Sequence, residues 1–277
     1  MEHIEHFYTS GGRKFRCLEG GTGEPCVLLH AFPLSADMWR PQLEEPPPGW
    51  RLIAPDLRGF RGPSSPRVPE GPGPLTMDDY ARDVLSLFDM LALPSAVVCG
   101  LSMGGYVAFA MWRLARTRIR GFVLADTRAG ADSDEARARR QQMLELLAEK
   151  GPAAIATAML PGLLGRTTHR SRPALVARVR ELIEANPPGA IAAAIGALMN
   201  RPDSTPQLVE MNVPGTLIVG EQDTLTPPEL SEAMRQLLSD AGLTVINEAG
   251  HLSNLEQPGL FNATLAAYLM RQSGHRV

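Results

Sequence analysis

Short apolar runs recur along the chain, and segments with helical character separate most of them. The runs occupy residues 26–29, 52–54, 96–99, 122–125, 216–219 and 243–246. Nearly continuous apolar runs, rather than alternating ones, are typical of strands that are covered on both faces. Parallel strands need crossover helices, and the intervening segments supply them. The pattern therefore predicts an α/β fold with a doubly wound, mostly parallel sheet.

Two further patterns predict the start of a helix and an additional hairpin. Thr76 is a typical N-cap residue with Asp79 three residues later, and apolar side chains then recur at helical spacing. Near the start of the chain, residues 6–8 and 14–17 flank a Gly-Gly pair and predict an edge hairpin. The hairpin and the six apolar runs together predict a sheet of about eight strands.

Two stretches interrupt the alternation of strands and helices. Residues 61–74 contain five prolines among glycines, which predicts a surface loop. Residues 128–207 lack strand signals and are rich in Ala, Leu, Met and Arg. Helices are predicted there over residues 135–149, 152–160, 172–185 and 189–199. We interpret this insert after the sixth strand as a helical cap on a core domain formed by residues 1–127 and 208–277.

Composition and charge indicate which binding partners and which location in the cell to expect. The 277 residues are 44% hydrophobic and carry a formal net charge of -3 with no basic stripe, so nucleic acid is not an expected partner. No uninterrupted apolar run approaches the roughly 20 residues of a membrane span, and acids stand where a secretory signal has basic residues. We therefore expect a cytoplasmic protein without membrane association. A homodimer is compatible with the sequence, which does not decide the oligomeric state.

The three cysteines bear on redox chemistry and metal binding. Their number is odd and their spacing does not match a metal site. Cys26 and Cys99 flank or lie within apolar runs and are interpreted as small buried hydrophobic residues. We expect no metal and no cofactor.

The sharpest chemical signal is Gly100-Leu101-Ser102-Met103-Gly104-Gly105, between a predicted strand and a predicted helix. The glycines allow a sharp turn that exposes the serine in a strained conformation. The next amide, from Met103, then lies at a helix N-terminus, where the dipole favours a developing negative charge. A glycine-rich turn whose serine only caps the helix is the alternative. We interpret Ser102 as a nucleophile and the Met103 amide as an oxyanion donor.

The sequence, including this serine motif, resembles the α/β-hydrolase superfamily over nearly its whole length. The branch it resembles holds small carboxylesterases, 3-oxoadipate enol-lactonase-like lactonases and cofactor-free haloperoxidase or perhydrolase-type esterases. The segment Leu29-His30-Ala31-Phe32-Pro33 is similar to the family's oxyanion loop, which assigns the second oxyanion amide to Phe32. Ala31 stands where glycine is usual, so either alanine strains or displaces the loop, or φ stays negative there and alanine is tolerated, which is the outcome we favour. The segment from Asp56 to Arg58 resembles a structural loop of the family and is interpreted as scaffold.

Two further motifs supply a base and the acid that orients it. Val219-Gly220-Glu221-Gln222-Asp223 follows one late strand, and Glu248-Ala249-Gly250-His251 follows the next. The order Ser102, Asp223, His251 is the chain order of this fold. Such a histidine moves a proton between serine and leaving group, and a carboxylate on its other nitrogen fixes the tautomer. Asp126, at the end of an earlier strand, and Glu221 remain alternatives for the acid.

Serine rather than aspartate at the turn favours acyl transfer over dehalogenase or epoxide hydrolase chemistry. We therefore expect a serine hydrolase that cleaves small esters with short to medium acyl chains or aryl groups. A lactonase, a carbon–carbon bond hydrolase and a perhydrolase would use the same triad, and a non-catalytic ligand receptor is the alternative from another class. The substrate pocket is expected between the sheet's carboxyl edge and the cap. Its apolar wall is assigned to Trp39, Met159, Leu160 and Leu164.

Overall fold

A computed structural model describes residues 4–10, 13–61 and 74–273 of the chain. Within these residues, eight strands form one sheet in the order β1-β2-β4-β3-β5-β6-β7-β8. The strands are β1 (Ile4–Ser10), β2 (Arg13–Gly21), β3 (Glu24–Leu29), β4 (Trp50–Pro55), β5 (Ala96–Leu101), β6 (Ile119–Ala125), β7 (Gly215–Gly220) and β8 (Ala241–Ile246). The hairpin β1–β2 and the pair β2–β4 are antiparallel, and the remaining pairs are parallel. This arrangement confirms the predicted fold class, and each of the six apolar runs lies within a strand.

Helices connect the parallel strands and follow the last of them. They are α1 (Arg40–Leu43), α2 (Met77–Met90), α3 (Met103–Ala115), α4 (Asp134–Leu163), α5 (Arg166–Ser171), α6 (Pro173–Glu184), α7 (Pro188–Met199), α8 (Pro228–Leu237), α9 (Ser253–Glu256) and α10 (Pro258–Ser273). The predicted capping box opens α2, because the Thr76 hydroxyl accepts from the Asp79 amide at 3.2 Å and the Asp79 carboxylate accepts from the Thr76 amide at 3.0 Å. All six residues of β5 are buried, as expected for a central parallel strand.

The segment between β6 and β7 is helical, as its composition predicts. The structure describes all of its residues, and its α-helices are α4 to α7. Two details differ from the prediction. The first two predicted helices are continuous in α4 across a kink at Gly151, whose φ of 70° lies outside the helical region. The short helix α5 was not predicted, because its sequence Arg-Thr-Thr-His-Arg-Ser lacks apolar periodicity.

Most of the predicted proline-rich loop lies outside the described residues, as does the Gly-Gly pair of the hairpin. The three cysteines are free and buried, which confirms the interpretation of Cys26 and Cys99 as small interior side chains. Among the described helices, none is both long and apolar enough by itself to cross a membrane. One bent pair, α6 with α7 at 92°, meets the length and composition criteria when the two are joined.

Candidate active site

Ser102 occupies a strained turn between β5 and α3. Its φ of 53° and ψ of -111° lie outside the regions that an L-residue normally adopts, which costs on the order of 1–3 kcal/mol. The flanking glycines are required because backbone packs against them: a Cβ on Gly100 would lie 2.3 Å from the carbonyl oxygen of Gly104, and one on Gly104 would lie 2.1 Å from that of Leu29. Ser102 itself stays partly exposed. The motif therefore folds as the sharp turn predicted from its glycines.

Ser102, His251 and Asp223 meet at the carboxyl edge of the sheet. Nε2 of His251 lies 2.8 Å from the Ser102 hydroxyl oxygen, and Nδ1 lies 2.8 Å from Oδ2 of Asp223. Oδ2 also accepts from the Thr226 hydroxyl at 2.7 Å. Because an ionised carboxylate only accepts, Nδ1 carries the proton and Nε2 is left to accept from serine. The three residues predicted as a triad are thus joined by one chain of hydrogen bonds.

Asp223 and His251 shift each other's pKa in the direction opposite to the effect of burial. Burial raises the pKa of Asp223, but the neighbouring His251 outweighs it and holds that pKa below its ordinary value. Burial lowers the pKa of His251, and the charge and hydrogen bond of Asp223 outweigh it, so the histidine pKa is raised. The pair therefore stabilises an imidazolium, which is the species formed when the histidine takes a proton from serine.

The two alternative acids lie elsewhere. The carboxylate of Asp126 accepts from the Gly220 amide at 2.8 Å and from the Ser253 hydroxyl at 2.5 Å. These two hydrogen bonds do not involve His251. Burial, together with the charge of Asp223, raises the pKa of Asp126 well above its usual range. Glu221 is exposed and accepts from the Glu248 amide at 3.1 Å. Of the carboxylates weighed from the sequence, Asp223 is the one bonded to the histidine.

The predicted oxyanion residues lie beside the serine. Phe32 and Met103 line the same cavity as Ser102 and His251. Met103 is the first residue of α3, and the first amides of an α-helix have no partner within the helix. This placement is compatible with two amides directed at a common point near the serine.

The loop that carries Phe32 is held by a buried histidine. Nε2 of His30 accepts from the Leu57 amide at 3.0 Å, so Nδ1 carries the proton and donates to the Ala31 carbonyl at 2.9 Å. Burial lowers the pKa of His30 to about 4, which keeps the ring neutral. Ala31 is not among the described residues with positive φ, so glycine is not needed there, which agrees with the favoured expectation that the loop tolerates alanine.

The segment from Asp56 to Arg58 serves as scaffold, in agreement with its interpretation from the sequence. Asp56 accepts from the Ala36 amide at 2.8 Å and from Arg16 at 3.0 Å. Arg58 makes two hydrogen bonds to the Asp83 carboxylate. These contacts connect the loop after β4 to neighbouring elements, away from the serine.

A cavity of about 360 Å³ opens onto Ser102 and is partly walled by α4. Of the predicted wall residues, Met159 lines it, whereas Trp39, Leu160 and Leu164 do not. Trp39 is fully buried and packs against Phe261 with ring centroids 5.9 Å apart. Leu160 follows Met159 on α4 and turns into the interior, with 4% of its surface exposed, because successive residues of a helix face different directions. Leu164 lines a separate cavity with Arg166 and His169.

Several wall residues were not predicted. The apolar ones include Tyr106, Met143, Leu163, Leu198 and Leu225. The charged ones are Arg128, Asp132, Arg139 and Arg140, so the lining combines the expected apolar wall with charged residues that were not expected. Thr226, bonded to Asp223 and 3.2 Å from Nδ1 of His251, was also missed. Its position three residues after the aspartate was the available signal, because a hydroxyl there can bond back to the carboxylate.

No group of three or more His, Cys, Asp or Glu side chains suited to a metal ion occurs in residues 4–10, 13–61 and 74–273. The arrangement around Ser102 has what acyl transfer requires: a partly exposed hydroxyl, a base in contact with it and amides beside it.

Comparison with known proteins identifies the fold family of this chain. The family model for the alpha/beta hydrolase fold matches residues 24–258. A thermophilic esterase from Thermogutta terrifontis is 37% identical, with 98% of this chain and 99% of that one covered at a TM-score of 0.87. The enol-lactonase from Burkholderia xenovorans LB400 is 26% identical, with 96% and 100% covered at a TM-score of 0.85. In sequence, 3-oxoadipate enol-lactonase 2 from Acinetobacter baylyi is 28% identical over 258 residues, which are 91% of each chain.

Proposed function

Because this chain belongs to the α/β-hydrolase family, and is a hydrolase with esterase and lactonase relatives, we propose that it cleaves carboxylic esters through an acyl-enzyme on Ser102. One observation carries this proposal. His251 bonds to the Ser102 hydroxyl with one nitrogen and to Asp223 with the other, both at 2.8 Å. A binding protein without catalytic activity has no need for this convergence at a strained turn.

The mechanism follows from the hydrogen bonds. Ser102 attacks the ester carbonyl while Nε2 of His251 takes the hydroxyl proton, and Asp223 stabilises the resulting imidazolium. The amides of Phe32 and Met103 receive the charge on the tetrahedral oxygen. Collapse breaks the bond to the alcohol, which leaves with the proton from Nε2. Water then repeats the sequence on the acyl-enzyme, which releases the acid and restores Ser102.

The helical segment of residues 128–207 acts as a cap in this proposal. Met143, Met159 and Leu163 of α4 form one side of the cavity that opens onto Ser102. Their apolar surface suits the hydrocarbon part of a small ester. Changes in the cap are therefore expected to alter the choice of substrate, while the residues after β5, β7 and β8 perform the chemistry.

Hydrolysis of a lactone is the second candidate, because two of the compared relatives are enol-lactonases. A lactone is an internal ester, so each step above applies to it. The difference is that the leaving alcohol remains attached to the acyl group.

The test compares Ser102→Ala with Ser171→Ala, an exposed serine on α5, using p-nitrophenyl acetate, p-nitrophenyl butyrate and a fluorophosphonate probe. The wild-type protein and Ser171→Ala should hydrolyse the esters and be labelled by the probe. Ser102→Ala should melt as the wild type does and lose both properties. Residual turnover above roughly a tenth of wild type would contradict a nucleophilic role, because such removals cost orders of magnitude.

A further inference from the structure

One wall of the cavity that opens onto Ser102 is charged. The segment after β6 contributes Arg128 and Asp132, and the first turns of α4 contribute Arg139 and Arg140. Three arginines and one aspartate thus line this space. The whole chain carries a net charge of -3, so the positive wall is a local feature and not a property of the molecule.

Asp132 is already shared among several arginines. It accepts from Arg128 at 2.7 Å, from Arg201 behind the wall at 2.7 Å, and from Nε of Arg140. Burial raises its pKa, but the hydrogen bonds and charges of Arg140 and Arg201 outweigh this effect and lower it, so the carboxylate is ionised. Arg201 also lies 4.1 Å from the ring centroid of Tyr106, another wall residue. One negative charge set against these arginines leaves an excess of positive charge.

The arginines retain donors for a ligand. A guanidinium has five N–H groups and forms paired hydrogen bonds with a carboxylate. Nε of Arg128 is buried and has no hydrogen-bond partner among the described residues. The side chain of Arg139 is exposed on α4, one turn after Glu135, and takes no part in the Asp132 cluster. Arg128 is partly exposed at the wall, with 28% of its side-chain surface accessible, and Arg139 is exposed, so an anion in the cavity can reach both.

We propose that the substrate of this site carries a carboxylate remote from the scissile carbonyl, held by Arg128 and Arg139. The proposal rests on the proposed function, since it names the class of ester or lactone that the site cleaves. The apolar residues of α4 contact the hydrocarbon segment between the two ends. Asp132 holds Arg128 and Arg140 in position and limits the excess charge, so that an anion binds without a neutral ester being rejected.

The experiment uses pairs of substrates that differ only in charge. Mono-p-nitrophenyl glutarate and adipate carry a free carboxylate, and their methyl esters are the neutral partners. Release of p-nitrophenol gives kcat/KM for each, and the ratio of acid to methyl ester measures the preference for the anion. We expect the ratio to favour the acid by about 10- to 100-fold, the value of one or two charge-assisted hydrogen bonds.

Three variants assign that preference to residues. Arg128→Gln and Arg139→Gln should each lower the ratio about tenfold, mainly through KM of the acid. Arg137→Gln is the matched control, because Arg137 is exposed on the same helix, lies 3.7 Å from Asp134 and is absent from the cavity wall. It should leave the ratio at the wild-type value. Arg139→Gln keeps the test valid if loss of the bond from Arg128 to Asp132 unfolds the other variant.

The outcomes separate the two proposals. No p-nitrophenol release from any ester, including the acetate, overturns the proposed function and this inference with it. Hydrolysis that depends on Ser102 with equal kcat/KM for acid and methyl ester overturns the carboxylate subsite alone. A preference for the acid that survives in both arginine variants also overturns it. In that case Asp132 and its arginine partners have only a structural role, which is to join the segment after β6 to Arg201.

Discussion

The assignment of Asp223 to the triad leads to a sharp prediction for Asp223→Asn, because the contacts fix how the new amide is oriented. Oδ1 of Asp223 accepts from the amides of Leu225 at 2.8 Å and Thr226 at 3.0 Å, so the carbonyl oxygen of an asparagine takes that position. Its NH2 group then replaces Oδ2 and faces Nδ1 of His251. An NH2 group donates, so Nδ1 must accept and the proton moves to Nε2. A protonated Nε2 cannot take the proton of Ser102.

The expected loss is large, because both the tautomer and the stabilised imidazolium disappear. In triads of this kind, replacement of the orienting aspartate by asparagine lowers kcat on the order of 10⁴-fold, which is about 5 kcal/mol of transition-state stabilisation. We expect kcat for p-nitrophenyl butyrate to fall about 10³- to 10⁴-fold in Asp223→Asn. KM should change little, since the carboxylate does not line the cavity.

Asp126→Asn is the matched control, with the same replacement of side chain at a neighbouring buried position. Asp126 bonds to Gly220 and Ser253 rather than to His251, and burial raises its pKa, so a neutral amide is tolerated there better than at Asp223. Its kcat should stay within about tenfold of wild type. Thermal melts establish that both variants are folded. Greater damage from Asp126→Asn than from Asp223→Asn would refute the reasoning and transfer the role of acid to the earlier strand.

Three further predictions concern the base, the oxyanion loop and the cavity wall. The kcat/KM should rise with pH as His251 loses its proton, with a midpoint above the ordinary value of about 6.5, and a midpoint below that value would contradict the raised pKa. Ala31→Gly should change kcat less than threefold in ester assays and lower stability in denaturant titrations by about 0.4–1 kcal/mol, since φ is not positive there, and a large gain in kcat would contradict this. Met159→Ala should shift relative kcat/KM across acyl lengths by roughly 1–3 kcal/mol. Leu164→Ala, outside this cavity, should lower stability and leave the dependence of kcat/KM on acyl length unchanged. A change in that dependence would contradict the placement of Leu164 outside the substrate cavity.

The strands and the nucleophile turn were determined by the sequence itself. A parallel strand that is buried on both faces must be apolar at nearly every position, so residues 96–99 and 216–219 were recognisable without any tertiary information. The turn at Ser102 was recognisable for a similar reason, because backbone approaches Gly100 and Gly104 too closely for any side chain. These features depend on local chemistry, which a single sequence contains.

The acid that contacts His251 was decided by the tertiary structure. Asp126 and Asp223 both follow buried strands, and β6 and β7 are neighbours in the sheet, so spacing along the chain left both available. The choice depends on how the turn after β7 directs its side chain relative to the loop after β8. That direction places Oδ2 of Asp223, and not Asp126, at 2.8 Å from the histidine.

The cavity wall depended on the tertiary structure most of all. Which residues of α4 face Ser102 is set by the rotation of the helix and by the kink at Gly151, so Met159 faces the cavity while Leu160 does not. Arg128 and Arg139 looked like ordinary surface residues, because the sequence does not reveal that the segment after β6 and the start of α4 meet over the serine. Composition predicted a helical insert, but the side chains that it presents to a substrate depend on packing between distant parts of the chain.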